Sequence, residues 1–172
     1  KIQAAPQTAK RSFSAGSVIS AIGRWIVRNR IYLIAFAIPA VLTYLAYALF
    51  GLYPFGEESV LCLDLNGQYV YYFEALRDAF WGDGSIFYNW SRNLSGEFMG
   101  IIGYYLASPF TLIVMLLPEK FMLSSLLIMQ LCKLGAAGAT FNYFLQKRRG
   151  VQPYPSLLFS TMYAMMAYGV IQ

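Results

Sequence analysis

Residues 31–50 read IYLIAFAIPAVLTYLAYALF, twenty consecutive residues without a charge. A helix rises about 1.5 Å per residue, so such a stretch covers about 30 Å, the thickness of bilayer hydrocarbon. The stretch is expected to cross a membrane as a helix, with Pro39 kinking it rather than ending it. The rest of the chain agrees. Of 172 residues 58% are hydrophobic, 17% aromatic and 12% charged, against about 25% charged in ordinary soluble domains. The fold class that follows is an all-α polytopic membrane protein.

The net charge of +5 is segregated along the chain. Lys1, Lys10, Arg11, Arg24, Arg28 and Arg30 precede the first apolar stretch, with no acid among them. All 8 acidic residues fall within 51–120, and after that only Lys133, Lys147, Arg148 and Arg149 are charged. Basic residues collect on the cytoplasmic side of membrane proteins, so this pattern reads as topology and not as a nucleic-acid surface. Residues 1–30 are expected to be a basic cytoplasmic segment, with an amphipathic helix in SVISAIGRWIVRNR lying on anionic lipid. The long basic region and full-length apolar stretch fit a retained signal anchor better than a cleaved signal. With 0 histidines, no imidazole base or His-based zinc site can come from this chain. Cys62 and Cys132 are not expected to pair.

A second apolar run, 98–117, contains Ser108 and Pro109, which together signal a helix start. The helix opened there is too short to span, whereas 121–145 is long enough alone. Letting 121–145 return to the cytoplasm also places the QKRRG cluster (146–150) inside. The expected organisation is therefore a first transmembrane helix at 31–50 and an external loop at 51–120 holding juxtamembrane or re-entrant helices. A second transmembrane helix follows at 121–145, a cytoplasmic loop at 146–155, and the start of a third span at 156–172. The chain is expected to be the front of a longer protein and to be inactive alone.

Within the loop, Leu65, Tyr69, Tyr72, Phe73, Leu76 and Phe80 recur at helical spacing and predict a juxtamembrane helix over 64–81. Asp64 begins it, followed one turn on by Gln68 and then by Tyr71 and Tyr72. A carboxylate there reads either as a helix N-cap or as a general base near a sugar hydroxyl, with a divalent cation as a possible ligand. Glu57 and Glu58 read as solvated loop charges or a second metal carboxylate. The aromatic runs YVYY and FYNW suit an interfacial belt or stacking on sugars. Arg77, Arg92 and Lys120 are the cations of the loop, available to a lipid phosphate or to neighbouring acids. Lys133 falls at mid-span, where a charge calls for a carboxylate or phosphate partner, and GAAGA (135–139) offers small residues for close helix packing.

Taken in order, YPFGEESVLCLDLNGQYVYYFEALRD, GYYLASPFTLIVMLLP, CKLGAAGATFNYFL and FSTMYAMMAYGVI resemble the YfhO family of bacterial membrane proteins, over roughly residues 30–172. The resemblance implies the N-terminal part of a GT-C-like fold in the cytoplasmic membrane. It further implies transfer of a sugar from a polyprenyl-phosphate donor to an envelope acceptor such as teichoic acid. Asp64 matches the acidic catalytic residue of the first external loop in such enzymes. Gln68, Tyr69, Tyr72, Arg77, Arg92 and Lys133 are the substrate-binding residues expected with it. Two other readings stand beside this one: a transporter or flippase of an envelope lipid, with Lys133 on the substrate path, and a non-catalytic assembly subunit.

Overall fold

The computed structural model describes residues 15–58, 65–90 and 96–166. Among the described residues two helices are long and apolar enough to cross a membrane, spanning Val18–Leu49 and Glu119–Arg149. The first belongs to helix α1, Ala15–Leu49, which is continuous through Pro39. The basic segment expected as a separate surface helix is therefore, from residue 15 onward, the first turns of α1 itself. Its residues 18–28 are all exposed. No proline or glycine lies between Arg24 and Ile31 to end it, Asn29 turns its side-chain amide back to Trp25 O at 2.8 Å, and helix once nucleated propagates at little cost. The second long helix, α5, covers Met122–Arg149 and is entered through a single 3-10 turn at Glu119–Phe121. Gly150, at φ 65, stops α5 in the left-handed conformation that glycine tolerates, and α6 (Pro153–Ala164) then starts with proline in its first turn.

Helices α1 and α5 run antiparallel. Tyr47 donates to Gln130 at 3.0 Å near one end, and the rings of Tyr32 and Tyr143 meet at 5.7 Å near the other. Between them the backbones come close. Pro39 has no amide hydrogen, so the Ala35 carbonyl lacks its usual donor four residues on. Gly138 of α5 approaches that same carbonyl: a Cβ built on Gly138 would lie 2.4 Å from Ala35 O and 3.1 Å from Pro39 Cγ. Gly135 similarly lies against the Phe36 ring. The small residues of GAAGA are thus the place where α5 seats on α1, as membrane helices pack where side chains are smallest. Across α5, fully buried Asn142 donates to Ser156 Oγ at 3.1 Å and Ser160 Oγ at 3.3 Å on α6. Phe141 stacks on Tyr163 with ring centroids 4.2 Å apart.

The segment joining the two long helices is built from short pieces. A tight loop follows α1, where Gly51 has φ 64 and Tyr53 N–H donates to Glu58 O at 2.7 Å. Gly56 packs so closely on the Gly51 carbonyl that no Cβ fits there, and Glu57 and Glu58 sit exposed at its tip. A π-helical turn at Leu65–Tyr69 leads into α2, Val70–Trp81. A two-residue hairpin then pairs β1 (Tyr88–Asn89) with β2 (Gly96–Glu97). The run 98–117 is not one helix. It divides into α3 (Met99–Ile101), a π-helical turn (Ile102–Leu106) and α4 (Thr111–Leu116). The helix expected from Ser108 starts later, because Ser108 uses its backbone carbonyl to receive Thr111 N–H at 3.0 Å and no side chain caps α4.

These pieces share one apolar cluster with α5. Phe73 and Leu76 of α2, Phe98, Ile101, Leu106 and Val114 close on Leu126 and Met129. The expected stripe on α2 is real at Phe73 and Leu76 and partly buried at Tyr69 and Tyr72, but Phe80 is 58% exposed because the last turn of α2 runs past the cluster.

The seam generates a prediction. Gly138→Ala should force α1 and α5 apart and lower stability in detergent by about 1–3 kcal/mol, the usual cost of overpacking. Gly23→Ala, in α1 with nothing within 4 Å of the added carbon, should be neutral or slightly stabilising. Equal melting temperatures for the two variants would contradict the close seam.

Candidate functional site

Helix α2 has three working faces, set by its sequence. Phe73 and Leu76 point into the apolar cluster. Arg77 and Trp81, four residues apart, turn toward α4. Tyr71, Glu74, Ala75 and Asp78, with Gln68 of the preceding π-helical turn, line an open cleft of about 700 Å³. The far wall of that cleft comes from the chain after α2: Asp83, Ser85, Tyr88, Asn89 and Trp90. Buried Phe98, 1% exposed, and Ile101 form part of its base.

The GDGS turn (82–85) makes this second wall possible. The amides of Gly82 and Gly84 both donate to Asp78 O at 3.0 Å, closing the C-terminus of α2. A Cβ on Gly84 would lie 2.8 Å from Ala79 N, so only glycine lets the chain double back this tightly over the helix end. Ser85 Oγ then receives Phe87 N–H at 3.2 Å, and Phe98 N–H donates to Phe87 O at 2.9 Å, extending the short hairpin. The rings of Tyr88 and Trp90 meet edge to face at 4.8 Å.

On the other side of α2, Arg77 secures α4. The last carbonyls of a helix have no intrahelical donor, and a cation there is favoured by the helix dipole. Arg77 Nη1 donates to Val114 O at 2.7 Å and to Leu117 O, and the Trp81 indole donates to Met115 O at 3.0 Å. The Arg77 guanidinium, expected beside a lipid phosphate, is thus engaged in joining two helices. Nothing local signals this contact, since α4 lies almost forty residues away.

The remaining expected site residues are distributed as follows. Gln68 and Tyr72 line the cleft. Tyr69 and Tyr72 also pack on Tyr105, with ring centroids 5.2 and 5.4 Å away. Asp64, Arg92 and Cys62 lie outside the described residues; Asp64 immediately precedes the π-helical turn in sequence. Lys133 is on α5 and is not brought to the cleft. It is half-buried, one turn beyond Met129 on the face that carries Leu126 and Met129 into the cluster, and among the described residues it has no hydrogen-bond or ion-pair partner.

Three carboxylates that sequence reasoning did not single out, Glu74, Asp78 and Asp83, line the cleft. Their signal was present, because Tyr71, Glu74 and Asp78 recur at helical spacing opposite the apolar stripe, but nothing local reveals the hairpin that covers them. Burial, then the charges of Glu119 and Asp78, push the Glu74 carboxyl above the usual carboxylate range. Both effects make the charged form of Glu74 less favourable than that of a free glutamate. Among the described residues no three acidic or cysteine side chains are grouped to hold a metal ion. The cleft can accept hydrogen bonds from hydroxyls, donate them through amides, and offer aromatic surface.

The Arg77 contact is tested by Arg77→Met, which keeps an unbranched apolar stem and removes the donors. Residues 111–117 should then exchange their amide hydrogens at least about tenfold faster, from loss of charge-assisted bonds each worth roughly 1.5–3 kcal/mol. Unchanged protection of α4 would show that Arg77 does not hold it.

A family model, Bacterial membrane protein YfhO, matches residues 35–172. Comparison with curated proteins and with solved structures gives no match. The matched region includes the C-terminal part of α1, the residues that line the cleft, α5 and α6, and among the described residues of the chain two helices are of membrane-crossing length. The chain belongs to the YfhO family of bacterial membrane proteins.

Proposed function

We propose that this chain is the N-terminal part of a membrane glycosyltransferase-like protein. It transfers a sugar from a polyprenyl-phosphate donor to an acceptor in the cell envelope, such as teichoic acid. The observation that carries this reading is the cleft between α2 and the hairpin. It joins carboxylates, amides and aromatic rings in one concave site, the chemistry that polyhydroxylated ligands call for, and it sits beside two membrane-length helices. A lipid-linked substrate needs both features together: a membrane for its tail and a polar cleft for its head.

In this mechanism Asp64 acts as the general base. Its carboxylate takes the proton of an acceptor hydroxyl as that oxygen attacks the anomeric carbon, and the bond from that carbon to the polyprenyl phosphate breaks, the phosphate leaving with the electron pair. Gln68 and Tyr72, within one to two turns of Asp64 in sequence, orient the reacting sugars at the cleft edge. Arg92 and Lys133 are the expected cations for the lipid phosphate, as is any part of Arg77 not held by α4. A divalent cation could share that role through residues beyond those described. The donor side of the reaction lies on the extracytoplasmic face, with the basic N-terminal turns of α1 in the cytoplasm.

A transporter reading is favoured by one observation, the half-buried Lys133 without a partner among the described residues, since unpaired intramembrane charges mark substrate pathways. The two readings separate on Asp64→Asn in the full-length protein. Asparagine keeps the size and much of the N-capping ability but cannot take the proton. Sugar transfer from a polyprenyl-phosphate donor should fall by about 10² or more, the size of a general-base contribution, with insertion unchanged. Normal transfer in this variant would remove Asp64 from the mechanism. Movement of a labelled lipid between leaflets by a wild-type protein that transfers no sugar would establish the transporter.

A further inference from the structure

The lining of the cleft has a sign. Glu74, Asp78 and Asp83 contribute three carboxylates, and among the described residues no lysine or arginine lines it. A concave surface with acids on both walls concentrates negative potential, because field lines are focused by low-dielectric walls. A phosphate entering it would meet like charges, with no guanidinium or ammonium among the described lining residues to receive it. A neutral polyol would meet acceptors for its hydroxyls, the amides of Gln68 and Asn89 as mixed donors and acceptors, and aromatic surface for its C–H face.

We propose that this cleft is a subsite for a neutral sugar ring, which it admits while turning phosphate away. The inference rests on the reading of the chain as a sugar-transfer protein and deepens it: the uncharged glycosyl ring seats in the cleft over α2, and the phosphate of the same substrate stays outside. Three features support it. The cleft, at about 700 Å³, is of the size that holds small ligands, which ranges over roughly 300–1,000 Å³. Tyr71, 61% exposed, and Trp90, 81% exposed, present open aromatic surface on opposite walls. Glu74, Asp78 and Asp83 are placed where their oxygens can accept hydrogen bonds from hydroxyl groups.

Ligand-observed saturation-transfer NMR on the full-length protein in nanodiscs tests this. The probes are methyl glucoside, methyl galactoside, N-acetylglucosamine, glucose 1-phosphate, glucose 6-phosphate and choline. At least one neutral sugar should bind, and each glucose phosphate should bind about tenfold or more weakly than methyl glucoside. Trp90→Ala should weaken the neutral sugar by about tenfold, the order of one lost aromatic contact. The double variant Asp78→Asn, Asp83→Asn, at two exposed positions, should narrow the gap between glucose phosphates and methyl glucoside at least threefold. Unchanged melting temperatures in the variants separate these effects from misfolding.

Tighter binding of a glucose phosphate or of choline than of every neutral sugar would overturn the subsite, as would no binding by any neutral sugar. Neutral-sugar binding that ignores Trp90→Ala would do so too. If wild-type protein transfers sugar while these binding results fail, the subsite falls and the proposed function stands. If neutral sugars bind as expected but no transfer occurs, the subsite stands and the proposed function falls.

Discussion

The carbonyl that Pro39 leaves open on α1 is the point on which the rest of the structure depends. In hydrocarbon an unsatisfied backbone group costs several kcal/mol, so a proline in a membrane helix needs a neighbour to cover the gap. Gly138 of α5 comes to that carbonyl, close enough that no side chain fits between them. The contact fixes α5 antiparallel to α1 and sets the register in which Tyr47 reaches Gln130 and Tyr53 reaches Ser124 at 2.6 Å. The end of α1 and the start of α5 are thereby held side by side, so everything between them must leave and return at one place.

That constraint shapes the cleft. A segment tethered at both ends to adjacent helices folds back on them, and its apolar residues find Leu126 and Met129 of α5 as a common floor. Once Phe73 and Leu76 are committed to that floor, the helical period turns Arg77 and Trp81 toward α4 and turns Glu74 and Asp78 outward. The Gly82–Gly84 turn brings the hairpin over the outward face. The acids of the cleft, with Tyr71 and Trp90, are therefore positioned by an apolar cluster in which they take no part, as expected of a binding site carried on a rigid frame.

Much of the frame was legible in the sequence. Length and hydropathy were sufficient for 31–50 and 121–145, because a bilayer imposes a length that no local choice can evade. The small residues at 135–139 and the turn at GDGS were legible because glycine has few structural uses. The short pieces at 98–117 were legible as a division but not in their boundaries, since six-residue helices carry too little periodicity to locate. The cleft itself was not legible. Strands of two residues leave no alternating pattern, and the pairing of Arg77 with α4 is a contact between distant segments with no local signature. Gln68 and Tyr72 were found through their neighbour Asp64, whereas Glu74 and Asp78 on the polar face of α2, and Asp83 in the turn after it, lay in plain view and needed the whole cleft to acquire meaning.

We propose that α1 and α5 cross the membrane once each, with the cleft on one side and the α5–α6 turn on the other. Single cysteines at Asp83 and Gln152, in a protein with Cys62→Ser and Cys132→Ser, test it in intact cells with a membrane-impermeant thiol reagent. The account predicts labelling of the cysteine at 83 and protection of the cysteine at 152 until the membrane is permeabilised. Labelling of both in intact cells, or of the cysteine at 152 alone, would contradict it.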